Sequence, residues 1–183
     1  MKDALINRRE FLRNLGVIGA GALLSMSPWL SVFSEVVETS GEKCRLAIIG
    51  TGSRGRFLMS FLLQNPKVEI VALCDIYQPS MEKALNLVRE AKVYTDYRKV
   101  LENKTVDAVL VATPLNLHCQ IVLDAFDAGK HVFCEKSIGF TMEECFRIYK
   151  KHISTGKVFF TGQQRLFDPR YIKAMEMIHA GTF

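Results

Sequence analysis

The sequence has little of what marks metal centres and nucleic-acid-binding surfaces. It contains no Cys-x-x-Cys pair and no cysteine and histidine residues at ligand spacing, so we predict no metal site. Its formal net charge is +5, yet it has no run of basic residues and no interleaving of basic with aromatic residues. Nucleic acid is therefore not expected as a partner. Internal repeats and low-complexity segments are also absent, and the composition is that of an ordinary globular protein, 49% hydrophobic and 23% charged.

The cysteines do not resemble a disulfide framework, because there are five of them and an odd number cannot all pair within one chain. Cys74 and Cys134 fall inside apolar strand patterns, where buried free thiols are common. We therefore expect free thiols rather than disulfide bonds.

Charged residues are missing from residues 14–34, which follow the segment NRREFLR at residues 7–13. This combination predicts a twin-arginine export signal over residues 1–34, with the twin-arginine translocase as a partner and the periplasm as the destination. A membrane anchor is the alternative, since the uncharged stretch has about the 20 residues that a span needs. Pro28 and four serines interrupt the stretch, which favours the signal. Residues 35–44 are predicted to be a linker.

The strongest motif is Gly-x-Gly-x-x-Gly at residues 50–55, which follows an apolar run at residues 45–49 and precedes an amphipathic segment. In a dinucleotide-binding unit, Gly50 makes the tight turn and Gly52 lets the backbone approach the pyrophosphate. Gly55 lets the helix pack closely on its strand, and the pyrophosphate lies at the positive end of that helix. Arg54 is a candidate phosphate contact, with a solvated arginine as the alternative. The predicted cofactor-binding residues of this segment are Gly50, Gly52, Ser53, Arg54 and Gly55.

Asp75 completes this pattern, because it stands 20 residues after Gly55 at the end of a second apolar run. A carboxylate at this position accepts the two hydroxyl groups of the adenosine ribose and repels a 2′-phosphate. The sequence therefore predicts NAD as the cofactor, with NADP less favoured.

Strand and helix patterns alternate through the rest of the chain, and most of the strands are continuous apolar runs, as in parallel sheets covered on both faces. The expected fold class is α/β, a doubly wound and mostly parallel Rossmann sheet over residues 45–165. Thr141 with Glu144 forms a capping box, and Asp168 with Pro169 begins the last helix. The predicted strands are 45–49, 68–74, 92–94, 107–112, 131–134 and 158–161.

Polar motifs stand at the ends of three of these strands: Thr-Pro-Leu-Asn-Leu-His at 113–118, Glu-Lys-Ser-Ile-Gly at 135–139 and Gly-Gln-Gln-Arg at 162–165. With these motifs in this order, the chain resembles the glucose–fructose oxidoreductase, inositol dehydrogenase and MocA (Gfo/Idh/MocA) family from about residue 45 onward. The resemblance implies a Rossmann domain that binds NAD or NADP. It also implies a second α/β domain with an open sheet, which supplies much of a sugar or polyol pocket and through which such proteins form homo-oligomers.

The resemblance also assigns roles to the residues at the strand ends. Lys136 corresponds to the lysine of the family's Glu-Lys-Pro motif, at the centre of hydride transfer, and is the predicted catalytic residue. A cation that exchanges protons suits this chemistry, because the hydroxyl proton must be moved as the carbinol is oxidised. Ser137 departs from the family's proline. For His118, a cap at the start of the following helix is the alternative to a cofactor contact. The remaining implied cofactor-binding residues are Thr113, Pro114, Asn116, His118, Glu135, Lys136 and Gln164.

Residues 166–183 are expected to begin the connection to the family's second domain, which is missing from this chain. Three functions remain open from the sequence. The first is the N-terminal NAD-binding half of an exported sugar or polyol oxidoreductase. The second is a glycoside hydrolase that retains NAD and cleaves by transient oxidation, and the third is a non-catalytic NAD-binding fragment.

Overall fold

The computed structural model of the protein describes residues 43–182, and within them the chain forms one six-stranded sheet flanked by helices. The strand order is β3-β2-β1-β4-β5-β6, and every neighbouring pair is parallel. The predicted doubly wound α/β fold is confirmed. The strands are β1 (Cys44–Ile49), β2 (Val68–Cys74), β3 (Lys92–Tyr94), β4 (Ala108–Val111), β5 (His131–Cys134) and β6 (Phe159–Thr161).

Six α-helices and two short 3₁₀ helices connect or follow the strands in this part of the chain. The 3₁₀ helices, Leu115–Leu117 and Gln164–Phe167, both lie just beyond a strand end. The α-helices are α1 (Ser53–Leu62), α2 (Gln78–Leu85), α3 (Tyr97–Glu102), α4 (His118–Asp127), α5 (Met142–Thr155) and α6 (Pro169–His179).

The observed strands differ from the predicted ones by at most one residue at each end, and side chains explain two of the differences. Asp107 lies outside β4, because its carboxylate accepts a hydrogen bond from the backbone N–H of Arg45 at 2.9 Å. Val158 lies outside β6, because its N–H donates to Nδ1 of His131 at 3.0 Å. A side chain thus supplies the hydrogen bond where the ladder stops.

The central strands bury both of their faces, which explains their continuous apolar sequences. Alternate residues of β1 point to opposite sides, so that Ala47 and Ile49 join one core cluster while Leu46 and Ile48 join the other. The first cluster includes α4 and Ile148 of α5, and the second includes α1 and Met81 of α2. The two layers of helix hold the carboxyl ends of the strands at one edge, where the polar motifs lie.

The predicted helix signals are present. Thr141 and Glu144 form the capping box of α5, and Asp168 caps α6 by accepting from the N–H of Arg170. All five cysteines are free thiols, and four of them are buried: Cys44, Cys74, Cys119 and Cys134. Among residues 43–182 no helix is both long and apolar enough to cross a membrane. The predicted export signal and nearly all of the predicted linker lie outside the described residues.

Candidate functional site

The turn between β1 and α1 shows why its first and third glycines are needed. Gly50 has φ +95°, and a Cβ atom there would lie 2.5 Å from the carbonyl oxygen of Ala112 at the end of β4. A Cβ atom on Gly55 would lie 2.0 Å from the carbonyl oxygen of Gly50. These two glycines therefore allow the turn itself and the close packing of α1 against it.

Gly52 is different, because a Cβ atom on it would meet no atom of the described chain within 4 Å. The protein does not require a glycine here for its own packing. The open space over Gly52 is instead what a closely approaching pyrophosphate needs.

The N-terminus of α1 is available to a negatively charged group. Gly52 at the N-cap offers no capping side chain, and the first turn carries no acidic residue. The free N–H groups and the helix dipole therefore present positive charge at this point. Ser53, the first residue of the helix, is exposed and lines neither of the two cavities described below.

Asp75, at the end of β2, is held in place by its own chain. Its Oδ2 accepts from the N–H and the hydroxyl of Thr51 at 2.7 and 3.0 Å, and its Oδ1 accepts from the N–H of Tyr77 at 2.9 Å. A carboxylate has about four acceptor positions, so one on Oδ1 remains for a ribose hydroxyl. The buried Thr51 was not identified from the sequence, because nothing in the glycine motif marks its partner 24 residues away.

A cleft of about 530 Å³ runs over this turn. Five predicted residues line it: Gly50, Gly52, Asp75, Thr113 and Pro114. Its floor includes the buried Cys74, where burial and then the neighbouring Asp75 raise the pKa of the thiol to about 12. Several lining residues beyond Asp75 were not predicted from the sequence, since no motif marks them: Tyr77, Tyr97, Arg98 and Gln120.

A second cavity of about 360 Å³ adjoins the cleft, and Ala112 and Thr113 line both. The hydroxyl of Thr113 is buried and has no hydrogen-bond partner among the described residues. A buried hydroxyl without a partner is costly, and a ligand at the shared wall is one means of satisfying it. Five predicted residues line the second cavity together with Thr113: Arg54, His118, Glu135, Lys136 and Gln164.

Arg54 and Glu135 form an ion pair within this second cavity. Arg54 donates from Nε at 2.8 Å and from a terminal nitrogen at 2.7 Å to Oε1 of Glu135, whose side chain is only 8% exposed. Gly162 lies against this carboxylate, and a Cβ atom on it would be 2.8 Å from Oε1. Arg54 and Glu135 were both predicted to contact the cofactor, and the structure shows their charges directed at each other. Their role as cofactor ligands stays a prediction.

His118 is the first residue of α4 and is 2% exposed. Its Nδ1 lies 2.7 Å from the carbonyl oxygen of Ser137, and its Nε2 lies 2.9 Å from that of Thr113. Both ring nitrogens are therefore occupied by the backbone, and the side chain does not cap α4. Its role as a cofactor contact stays a prediction.

Lys136 extends into the second cavity as an exposed residue. Its backbone N–H donates to Oε2 of Glu135 at 3.2 Å, while its ammonium group has no partner among residues 43–182. The peptide bond between Lys136 and Ser137 is cis. Of the predicted site residues, Ser53, Gly55 and Asn116 line neither cavity: Gly55 is buried under the turn, whereas Asn116 is exposed on the 3₁₀ helix.

The residues at this edge of the sheet fit a dinucleotide, through the open approach at Gly52, the uncapped helix, the anchored carboxylate and the unpaired Thr113 hydroxyl. The fold and site thus define a dinucleotide-binding Rossmann domain. Comparison with known families agrees. The chain belongs to the Gfo/Idh/MocA family of oxidoreductases, whose NAD-binding Rossmann-fold profile matches residues 44–163. NAD, the predicted cofactor, is the cofactor of that family fold.

Glycosyl hydrolases and inositol dehydrogenases are both among the relatives that the chain resembles. A glycosyl hydrolase family 109 protein from Stenotrophomonas maltophilia is 32% identical over 97% of this chain and 40% of its own length. A myo-inositol 2-dehydrogenase from Thermotoga maritima is 29% identical over 75% of this chain and 41% of its own length. The crystal structure of a myo-inositol 2-dehydrogenase from Lactobacillus plantarum superimposes with a TM-score of 0.72 at 29% identity, covering 77% of this chain and 42% of that one. The chain therefore spans about two fifths of the length of these relatives.

Proposed function

We propose that this chain is the cofactor-binding part of an oxidoreductase that transfers a hydride between NAD and a carbinol carbon of a sugar or polyol. One observation carries the proposal: Lys136, whose side-chain nitrogen has no partner among residues 43–182, lines a cavity that shares its wall with the dinucleotide cleft. A substrate hydroxyl at that wall would be within reach of both Lys136 and a dinucleotide bound in the cleft. The inositol dehydrogenases among the relatives support a polyhydroxylated substrate.

Bound NAD supplies the hydride acceptor, and the residues of the chain supply binding and proton handling. Gly52 and the N-terminus of α1 would hold the pyrophosphate, and Asp75 would hold the adenosine ribose. Lys136 Nζ, as the neutral amine, would accept the hydroxyl proton as the carbinol becomes a carbonyl, and as the ammonium it would return that proton in the reverse direction. The ammonium group formed by this transfer would stabilise negative charge on the substrate oxygen in the reverse direction.

The test is product analysis of the full-length protein with oxidised NAD and a panel of sugars, polyols and aryl glycosides. Formation of one NADH per molecule of ketone or lactone would support the oxidoreductase. A protein that binds NAD but converts none of the panel would contradict the proposal and favour a non-catalytic NAD-binding role.

A glycoside hydrolase that retains NAD is a second candidate, and the relative from Stenotrophomonas maltophilia favours it because the alignment extends over 97% of this chain. Such an enzyme would oxidise its substrate, eliminate the leaving group, add water and re-reduce the product, so NAD is needed but not consumed. Aryl-glycoside hydrolysis that stops when NAD is removed and forms no net NADH would select this candidate. It would use the same cleft and the same lysine for a different overall reaction.

We also propose that the protein is exported through the twin-arginine translocase, with the periplasm as its location and a membrane anchor as the alternative. The twin arginines at residues 8 and 9 support this. Free NAD is scarce outside the cytoplasm, so an exported enzyme gains from binding its cofactor tightly before export. We further propose that the full-length protein is a homo-oligomer, as the family resemblance implies.

A further inference from the structure

The His118 ring occupies an unusual position between two backbone oxygens. Its nitrogens lie 2.7 and 2.9 Å from the carbonyl oxygens of Ser137 and Thr113, and the residue is 2% exposed. A carbonyl oxygen can only accept a hydrogen bond, so each contact requires a proton on the ring nitrogen. A ring with a single proton would donate to one oxygen and direct a lone pair at the other, which is costly in a buried position.

The two oxygens belong to the segments that form the second cavity. Thr113 lies at the wall shared with the dinucleotide cleft, and Ser137 follows Lys136 directly in the chain. A single buried side chain therefore joins the loop after β4 to the segment after β5.

The other side of Lys136 is fixed as well. Glu135 is buried and held by Arg54, and it accepts from the backbone N–H of Lys136 at 3.2 Å. The backbone of Lys136 thus lies between two anchored neighbours, while its ammonium group has no partner among residues 43–182. This arrangement leaves the side chain free to reach a substrate from a fixed starting point.

We propose that His118 is a positioning residue that donates from both ring nitrogens and so fixes the distance between Lys136 and the loop of Thr113. The inference rests on the proposed function, in which Lys136 moves the substrate proton. His118 itself reaches neither substrate nor cofactor, because both of its nitrogens are engaged. It would act on turnover through the placement of Lys136 alone.

Several charged and titratable groups surround the ring. Arg54, Glu135 and Lys136 line the same cavity, and the first two neutralise each other as an ion pair. From α5, Arg147, Glu144 and Cys145 lie within electrostatic range of Cys119, the residue next to His118. Glu135 is the acidic residue that lines the same cavity as His118, and its charge is paired with Arg54.

The first experiment observes the ring directly. Proton–nitrogen spectra of the wild-type 183-residue chain at about pH 6 should show two His118 ring N–H protons that exchange slowly with water, because both are buried and hydrogen-bonded. The exposed His179 provides the control and should show fast exchange. A single slowly exchanging proton on His118 would overturn the proposal without any substitution.

The second experiment measures function in the full-length protein. His118→Phe removes both donors, and it should lower kcat by about 10²-fold, the cost of roughly 1 Å of misplacement, while NAD binding stays within a few-fold. His118→Gln retains an amide with two N–H donors and should recover part of the lost turnover. His179→Phe should behave as wild type. Equal turnover in the phenylalanine and wild-type proteins would refute the positioning role.

Lys136→Met separates this proposal from the proposed function. If Lys136→Met lowers turnover but His118→Phe does not, the positioning role fails and the proposed function stands. If Lys136→Met has no effect, the proposed function fails, and a loss of turnover on changing His118 must have another cause.

Discussion

At the scale of single residues, we expect the cleft to discriminate between NAD and NADP, which differ by one phosphate group. Asp75 presents a carboxylate that is anchored by Thr51 and Tyr77, so it cannot swing away from a 2′-phosphate at little cost. Arg98, which no sequence motif marks, lines the same cleft and pairs with Asp96 at 3.4 Å. We expect the Asp75 carboxylate to disfavour NADP, and Arg98 to be a cation that can receive the 2′-phosphate once residue 75 carries no charge.

We therefore expect the wild-type chain to bind NAD more tightly than NADP, and Asp75→Asn to reduce this preference by about tenfold or more. Two like charges 4 Å apart repel by about 1–4 kcal/mol between bulk water and a protein surface, and tenfold in affinity is about 1.4 kcal/mol. Titration of the chain with both cofactors measures the ratio. Glu69→Gln, an exposed change on the same strand, is the control. Tighter binding of NADP by the wild type would contradict the assignment of Asp75.

Lys136 provides the second prediction at this scale. In the full-length protein, Lys136→Met should lower turnover by about 10²–10⁴-fold, the usual contribution of a positioned acid–base group, and leave NAD binding within a few-fold. Lys150→Met, an exposed lysine of α5, should have no effect. Loss of NAD binding in a folded Lys136→Met protein would instead make this lysine a cofactor ligand.

At the scale of elements, the β1–α1 turn separates the demands of the fold from those of the ligand. Gly50→Ala places a Cβ atom 2.5 Å from the Ala112 carbonyl at φ +95°. It should lower the free energy of unfolding by about 1–3 kcal/mol or more. Gly52→Ala meets no atom within 4 Å, so it should change stability by less than about 0.5 kcal/mol. The Gly52→Ala substitution should nevertheless lower the affinity for NAD by about tenfold or more.

Urea unfolding and NAD titration of the two variants of the chain check this contrast, and each glycine serves as the control for the other. Unchanged NAD affinity in Gly52→Ala would mean that the pyrophosphate does not approach this backbone. Unchanged stability in Gly50→Ala would mean that the turn can relax away from Ala112.

Two histidines, His131 and His152, make the free energy of unfolding depend on pH. Nδ1 of His131 accepts from the N–H of Val158, and burial followed by the nearby Lys157 lowers the pKa of His131. Burial also lowers the pKa of His152. In both cases the fold favours the neutral ring. The resulting stabilisation is fully present above the unfolded-state pKa of about 6.5 and is lost as the pH falls below it toward the folded-state pKa.

Urea midpoints at about pH 7.5 and pH 5.5 measure this effect. The wild-type midpoint should fall at the lower pH, and the fall should be smaller in His131→Gln, which has no ring to protonate. The exposed His179→Gln provides a control that should retain the whole fall. An equal fall in His131→Gln and the wild type would show that His131 does not contribute to the dependence.

Local features of the elements can be predicted from the sequence, whereas contacts between distant residues cannot. The strands, the glycine turn and the Thr141–Glu144 capping box depend on residues close together in the chain, and they were predicted to within one residue at each strand end. The pair of Arg54 with Glu135 joins residues 81 positions apart, and the contact of His118 with Ser137 depends on which way a ring turns. Such contacts follow from the relative positions of strand ends and side-chain reach, which no local pattern encodes. Gly162 was missed for the same reason, since its neighbour is the Glu135 carboxylate.

At the scale of the whole molecule, residues 1–34 and the Rossmann domain are predicted to act at different times, the first in export and the second in catalysis. The twin-arginine route carries folded proteins, which suits a domain that binds its cofactor before leaving the cytoplasm. Changing Arg8 and Arg9 together to lysine should therefore retain the full-length protein in the cytoplasm. Cell fractionation with immunodetection measures the distribution, and Lys2→Arg is a matched control outside the pair. Periplasmic or membrane-bound protein in the double variant would contradict the predicted signal.

The distribution of the five thiols gives the molecule built-in reporters of its own opening. Cys145 on α5 is partly exposed, whereas Cys44, Cys74, Cys119 and Cys134 are buried and burial raises the pKa of each. An alkylating reagent added to the native chain will therefore modify Cys145 first and reach each of the others only when its surroundings open. The order of modification, read by mass spectrometry, ranks β1, β2, α4 and β5 by how readily each part of the structure comes apart.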